Sequence, residues 1–281
     1  YQLYLPGYVV LTFIMMLGFY ILLRAFGLSA WLAGLGGIIW AFSSYFFILI
    51  PAGHIWKFVT LAYIPPTIAG VVLAYRKKYL LGGVITALFI ALQIQSNHIQ
   101  MSYYFMFVIL FFIIAYFVDA YEKKELPHFF KASAILALAA VVGVCVNISN
   151  LYHTYEYSKE TMRGKSELKQ EGPAANQTSS GLDRDYITNW SYGIGETLTL
   201  LVPNVKGGGC STTLSQNETA MAKANPMYGN LYSQLTPYFG DQPWTAGPVY
   251  VGAFVVFLFI LGCFIVKGPL KWALLGATIF S

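Results

Sequence analysis

The chain has 281 residues, of which 57% are hydrophobic, 17% aromatic and only 10% charged, well below the roughly 25% charged usage of soluble domains. That composition excludes a water-soluble globular enzyme, since so much apolar surface could not be hidden from water. The formal charge of +5 does not imply nucleic acid, because nine of the seventeen Lys and Arg residues lie in short loops between apolar runs, where membrane orientation accounts for them.

In chain order, apolar runs occupy 7–24, 30–50, 58–75, 79–97, 99–118, 132–151 and 248–266, and another begins near 270. A helix of about twenty residues crosses roughly 30 Å of hydrocarbon. The spacing therefore predicts an all-α polytopic membrane protein with seven full transmembrane helices and the start of an eighth. Tyr and Trp gather near the run ends, among them Tyr8, Trp31, Tyr75, Tyr79, Tyr116, Tyr121, Tyr250 and Trp272, as rings with a polar tip do at the headgroup level. The chain opens on Tyr1 and stops inside an apolar run after Lys271, which is the expectation for a fragment of a longer protein. Residues 1–151 are read as helices 1 to 6, 152–247 as a mixed extracytoplasmic insert, and 248–281 as helix 7 with the start of helix 8.

The polar stretch Gln93 to Gln100 contains no Gly or Pro. One helix over 79–118 would be about 60 Å long at 1.5 Å per residue, so a tight turn near Ser96-Asn97-His98 is expected instead. Orientation follows from alternate loops. One set carries Arg24, then Arg76, Lys77 and Lys78, then Lys123, Lys124 and Lys131, then Lys267 and Lys271; the other carries only Lys57. Basic loops resist translocation, so the first set is read as cytoplasmic and the 152–247 segment as external. Pro65-Pro66 lies within the third run and predicts a kink, since neither ring nitrogen can donate to the preceding turn.

The external segment changes character, with seven basic and nine acidic residues and abundant Gly, Asn, Thr and Ser. Residues 152–170 have helix-like composition, and Glu196 to Val202 reads as a short strand or a helix end. Cys145, Cys210 and Cys263 show neither disulfide nor metal-ligand spacing. No HExxH, Walker loop or Ser-His-Asp arrangement occurs, and Gly193-Ile194-Gly195 lacks the third glycine of a dinucleotide loop.

His54, His98 and His153 map to outer ends of different runs. Lys57 lies one helical turn from His54, and Gln93, Asn97 and Gln100 have the spacing of one helical face. This rim could hold a phosphate and its attached polar group. Lys57 is the most informative residue, because it opposes the orientation bias of the other short outer loops and an anion is the simplest reason to keep it. Glu156, Glu160 and Arg163 share a helical spacing that fits an intrahelical ion pair. Asp183 and Asp185, flanking Arg184, form a short acidic pair with the chemistry to hold a divalent cation with a sugar phosphate, and a solvated turn is the alternative.

The stretches LPGYVVLTFIMMLGFYILLRAF, WAFSSYFFILIPAGHIWK, AYIPPTIAGVVLAYR, NHIQMSYY, NLYHTYEYSKETMRGKSEL and QTSSGLDRDYITNWSYGIGETLTLLVPN resemble the bacterial YfhO-type membrane proteins in their Bacteroidetes form. Such proteins look like members of the large class of multi-helix glycosyltransferases that use polyprenyl-phosphate sugars. The resemblance implies a bacterial cytoplasmic membrane location, membrane lipids as surroundings, a lipid-linked sugar donor, and an envelope glycan or protein as acceptor. In that class the catalytic acid lies in the first outer loop after the first transmembrane helix, a position expected upstream of Tyr1. No catalytic residue is therefore assigned, and His54, Lys57, His98, Arg163 and Arg184 remain as contacts to donor phosphate or acceptor, with no cofactor beyond a candidate divalent cation at Asp183 and Asp185. A transporter or flippase of a lipid-linked substrate, and a non-catalytic membrane scaffold, are the alternatives.

Overall fold

The computed structural model describes residues 7–161 and 184–280. Among them every regular element is helical and no strand occurs. The chain divides into two compact units, Tyr1–Ile148 with Phe254–Ser281, and Ser149–Ala253.

In the first unit the helices are α1 (Tyr8–Ala25), α2 (Ala30–Ala41), α3 (Ser44–Leu49), α4 (Ile55–Tyr75), α5 (Tyr79–Gln95), α6 (Ile99–Glu122) and α7 (Leu126–Cys145). They are followed by α8 (Ile148–Lys159), which runs into the second unit, and later by α12 (Ala253–Ile265) and α13 (Pro269–Phe280). Helix α4 is the axis of this unit. It is apolar around its whole circumference, and buries residues on every turn from Phe58 to Tyr75 against α1, α5 and α7. An all-round apolar helix can be satisfied only in the middle of other helices or in lipid. The outer helices show the converse pattern: Tyr103, Met106, Leu110, Ile114 and Phe117 form an exposed apolar stripe along α6, and α12 buries no residue at all. An exterior this apolar matches hydrocarbon rather than water.

Small residues set how closely the helices approach, as is usual in membrane bundles. A Cβ on Gly82 of α5 would lie 2.5 Å from the Ala74 nitrogen and 2.6 Å from the Gly70 carbonyl of α4, so these two backbones touch directly. Helix α4 continues through Pro65 and Pro66. The Ala62 carbonyl, which Pro66 has no N–H to reach, lies 3.0 Å from where a Gly18 side chain would begin, so α1 covers that freed group closely.

Among the described residues five helical stretches are long and apolar enough to cross a membrane: Tyr8–Ala25, Ala30–Leu49, Ile55–Tyr75, Ile99–Glu122 and Leu126–Cys145. Helices α5, α12 and α13, with 17, 13 and 12 residues, are apolar but shorter. Three boundaries differ from the sequence expectation. The second run is broken at Phe42-Ser43, where Ser43 is extended with ψ 137°. The run expected over 132–151 is helical from Leu126, started by Pro127 in its first turn, and breaks at Val146-Asn147 before α8. The run expected from residue 248 becomes helical only at Ala253, because Gly247 and Gly252 adopt φ of 150° and 110°. The expected turn over 96–98 is present, with Asn97 at φ 59°, a conformation Asn tolerates better than most residues.

The described part of the second unit consists of short helices and turns: α9 (Arg184–Thr188), a 3₁₀ helix at Ile194–Leu200, α10 (Glu218–Lys223) and α11 (Gly229–Tyr232). The expected strand or helix end near 196–202 is thus a 3₁₀ helix, followed by a turn. Glu196 starts it by accepting the Gly193 N–H at 2.8 Å, which satisfies one of the donors that every helix start leaves open.

Candidate functional site

At one end of α4 the chain turns sharply after α3. Gly53 has φ 73°, His54 donates its backbone N–H to Leu49 at 3.0 Å, and α4 starts directly afterwards. The turn between α5 and α6 places His98 at the same end. Burial is the main force holding the His98 imidazole below its ordinary pKa of 6.5, and the positive charges of Lys57 and His54 add to it. The structure thus brings His54, Lys57 and His98 within electrostatic reach of one another. His54 is exposed and the other two are half-buried. The Nδ1 atom of His98 is buried without a hydrogen-bond partner, and Lys57 Nζ lies 5.2 Å from the centre of the Tyr45 ring, a cation–π distance.

Behind this rim lies a neutral polar network that sequence reasoning missed in large part. The Thr60 and Ser96 hydroxyls share a short hydrogen bond, and Ser96 donates to the Gln93 carbonyl at 2.5 Å. The Gln93 amide donates to Thr67 Oγ1 at 2.5 Å, Thr67 donates to the Tyr63 carbonyl at 2.8 Å, and Ser102 donates to Gln93 Oε1 at 3.4 Å. Thr60, Thr67, Gln93 and Ser96 are all buried. The signal was present as Thr60, Tyr63 and Thr67 at helical spacing on α4, opposite Gln93 and Ser96. The common face expected for Gln93, Asn97 and Gln100 does not form, because the helix breaks between them. Gln93 is buried in α5, Asn97 sits in the turn, and Gln100 donates to Tyr104 at 3.0 Å within α6.

The remaining candidates belong to the second unit. His153 is exposed on α8 beside the Tyr152 ring, in the second unit. Glu156 pairs with Lys159 at 2.7 Å; its expected neighbour Arg163 lies outside the described residues, as does Asp183. Arg184 opens α9 with Asp185 in its first turn. Among the described residues no group of three or more His, Cys, Asp or Glu side chains could hold a metal ion. Asn147 donates to the Ala91 carbonyl of α5 at 2.9 Å and so ties the end of α7 to α5.

The second unit has its own buried carboxylate, also missed. Glu196 is 2% exposed and accepts from the Tyr238 hydroxyl, from the Gly193 N–H, and from the Asp241 N–H at 3.3 Å. Burial pushes its pKa up, but these donors and the nearby Lys206 charge outweigh burial and hold it below the ordinary carboxylate value. Tyr238, half-buried and bonded to that carboxylate, is pushed up to about 12. These three bonds make Glu196 a structural hub tying residues 193, 238 and 241 together.

At the far end of α4 a different arrangement appears. Lys77 and Glu125 pair at 2.9 Å, which raises the lysine and lowers the carboxyl, and Lys123 pairs with Asp119 at 2.7 Å. His128, the fourth histidine, is fixed between the Tyr79 hydroxyl at 2.6 Å and the Tyr75 carbonyl at 2.7 Å. Tyr75 and Tyr116, expected at the headgroup level, turn inward and stack at 4.6 Å. Comparison of the chain with protein-family models, with curated proteins and with solved structures gives no match.

Proposed function

We propose that this integral membrane protein handles a phosphate-linked amphipathic substrate at the His54–Lys57–His98 end of the bundle, as a glycosyltransferase taking a sugar from a polyprenyl-phosphate donor to an envelope acceptor. The membrane setting rests on the apolar exterior and on the helices long enough to span. The proposal for that end rests on one observation: an isolated lysine and two histidines, one of them with a buried unpartnered nitrogen, converge where the flanking helices start. A lysine and a neutral imidazole are suited to a phosphate leaving group, the first by charge and the second by a hydrogen bond. The resemblance to YfhO-type proteins supplies the sugar-transfer chemistry, and the alternation of basic loops supplies the outer-face placement in a bacterial cytoplasmic membrane.

A second reading, transport or flipping of the same class of substrate, is favoured by the break between α2 and α3 at Phe42-Ser43. Interrupted membrane helices free backbone groups and recur in transporters. One assay separates the two. In membranes supplied with a lipid-linked sugar, Lys57→Ala is expected to lower glycan incorporation on the order of tenfold, with normal protein levels. Unchanged incorporation would remove Lys57 from the site, and substrate movement across vesicles without incorporation would favour transport.

A further inference from the structure

A well-formed cavity lies away from that rim. It lies at the opposite end of α4, has a volume of about 340 Å³, and is lined by the ends of α1, α4, α6, α7 and α13. Its lining carries both signs of charge: Arg76 and Lys123 against Asp119 and Glu125. The two carboxylates have lysine partners whose side chains are more than half exposed, Lys123 at 63% and Lys77 at 58%. Such pairs contribute little and exchange readily with another cation. Arg76 is different. Among the described residues it has no carboxylate partner; one nitrogen donates to the Ala25 carbonyl at 2.5 Å, which leaves most of the five guanidinium donors for another acceptor. Gly27, at φ 89°, lets the chain pass over the guanidinium, where a Cβ would come within 3.1 Å of it.

The wall beside Arg76 is apolar and rigid. Tyr75 is stacked between Tyr116 at 4.6 Å and Phe129 at 5.4 Å, and Leu270 closes the α13 side. His128 has both ring nitrogens engaged, so it shapes the wall rather than binding a ligand. A bare anion fits poorly beside the two carboxylates, and the helix dipoles do not compensate, because the C-terminal ends of α1, α4 and α6 meet the N-terminal ends of α7 and α13 here. A bare cation fits poorly beside Arg76. A group that carries a phosphate and an ammonium a few bonds apart satisfies both halves.

We propose that this cavity binds a zwitterionic phosphoethanolamine headgroup, with its phosphate on Arg76 and its ammonium displacing a lysine from Asp119 or Glu125. The fork of Arg76 matches phosphate oxygens in pairs, and the apolar wall accommodates the start of the acyl chains when the headgroup belongs to a lipid. The inference does not depend on the function proposed above, which concerns the other end of the bundle.

The test uses the purified full chain in mild detergent, with thermal unfolding followed on addition of phosphatidylethanolamine, of phosphatidylglycerol with the same acyl chains, or of soluble phosphoethanolamine. The expected result is protection by phosphatidylethanolamine at concentrations about tenfold lower than by phosphatidylglycerol, the ratio that one charge-assisted contact confers. Protection by soluble phosphoethanolamine as well would assign the site to the free headgroup, and its absence to the lipid; both outcomes support the chemistry. Arg76→Gln should abolish the protection. If that variant fails to fold, the double variant Asp119→Asn with Glu125→Gln, which removes both candidate carboxylates from exposed pairs, should by itself remove the preference over phosphatidylglycerol. Equal protection by the two lipids in the unaltered protein, or a preference retained in both variants, would overturn the proposal.

Discussion

The two ends of α4 solve the same problem by different means. At the His54 end, polar groups are neutral, buried and bonded to one another: Thr60, Thr67, Gln93 and Ser96 form a closed network with Lys57 and His98 at its mouth. At the Arg76 end, the polar groups are charged and largely exposed, with one ion pair at the end of α6 and one between the α4 and α7 ends, around an open cavity. Neutral hydrogen bonds can be buried at modest cost, whereas buried charges cannot. The first end is therefore packed and the second is open, although the second holds most of the charge. A ligand that displaces nothing can approach the first end only at its mouth, and can enter the second by exchanging with exposed lysines.

The largest expected effect comes from disrupting the helix crossing beside the open end. Gly82→Leu would push a side chain into the Ala74 and Gly70 backbone, at a cost of about 3 kcal/mol or more, and the folded fraction on size-exclusion chromatography should collapse. Gly34→Leu, where an added Cβ meets nothing within 4 Å, should leave it unchanged. If the two variants behave alike, the close crossing is not what holds α4 to α5.

Within the neutral network, Gln93→Leu strands the Ser102 hydroxyl and the acceptor side of Thr67, and should lower stability by about 1 to 2 kcal/mol, read by thermal unfolding in detergent. A smaller effect is expected at its mouth. Because the folded-state pKa of His98 is depressed, the unfolded chain binds the proton more readily, so the folded state is fully favoured above pH 6.5 and loses stability as the pH falls through the folded pKa. Lys57→Met removes one of the positive charges acting on the ring, so NMR titration should show the His98 pKa rising toward its ordinary value. A pKa unmoved by Lys57→Met would mean that the Lys57 charge does not act on the ring. The smallest effect belongs to the charged end: Lys77→Ala breaks an exposed pair and should leave the thermal midpoint unchanged. A clear loss there would erase the contrast between the ends.

Much of the first unit was legible in the sequence because membrane helices announce themselves by length and apolarity. The turn at Ser96-Asn97-His98 followed from length alone. Other features were hidden for identifiable reasons. The break at Phe42-Ser43 carries no Gly or Pro, so no local residue forbids a helix there. Gly247 and Gly252 were visible, but their positive φ, which delays α12 to Ala253, is a tertiary choice. The convergence of His54, Lys57 and His98 could be guessed from their shared end, whereas the cavity at Arg76 is assembled from five separated chain segments, and no spacing rule joins them. Thr60 and Thr67 escaped notice because threonine on a membrane helix commonly bonds its own preceding turn, as Thr60 also does to Trp56; only the facing Gln93 and Ser96 make it a network. Glu196 was one acid among nine in a polar segment, and its burial depends on Tyr238 and Asp241, some forty residues later.

The account depends on the two ends of α4 facing opposite sides of a membrane, with the His54 end outside. The direct measurement replaces Cys145, Cys210 and Cys263 by Ser, then introduces Gln95→Cys, next to the His98 turn, or Glu122→Cys, next to the cavity; both positions are exposed. Intact cells are treated with a membrane-impermeant maleimide. Labelling at position 95 in intact cells, and at 122 only after lysis, is the predicted result; the reverse pattern, or labelling of both in intact cells, would contradict it.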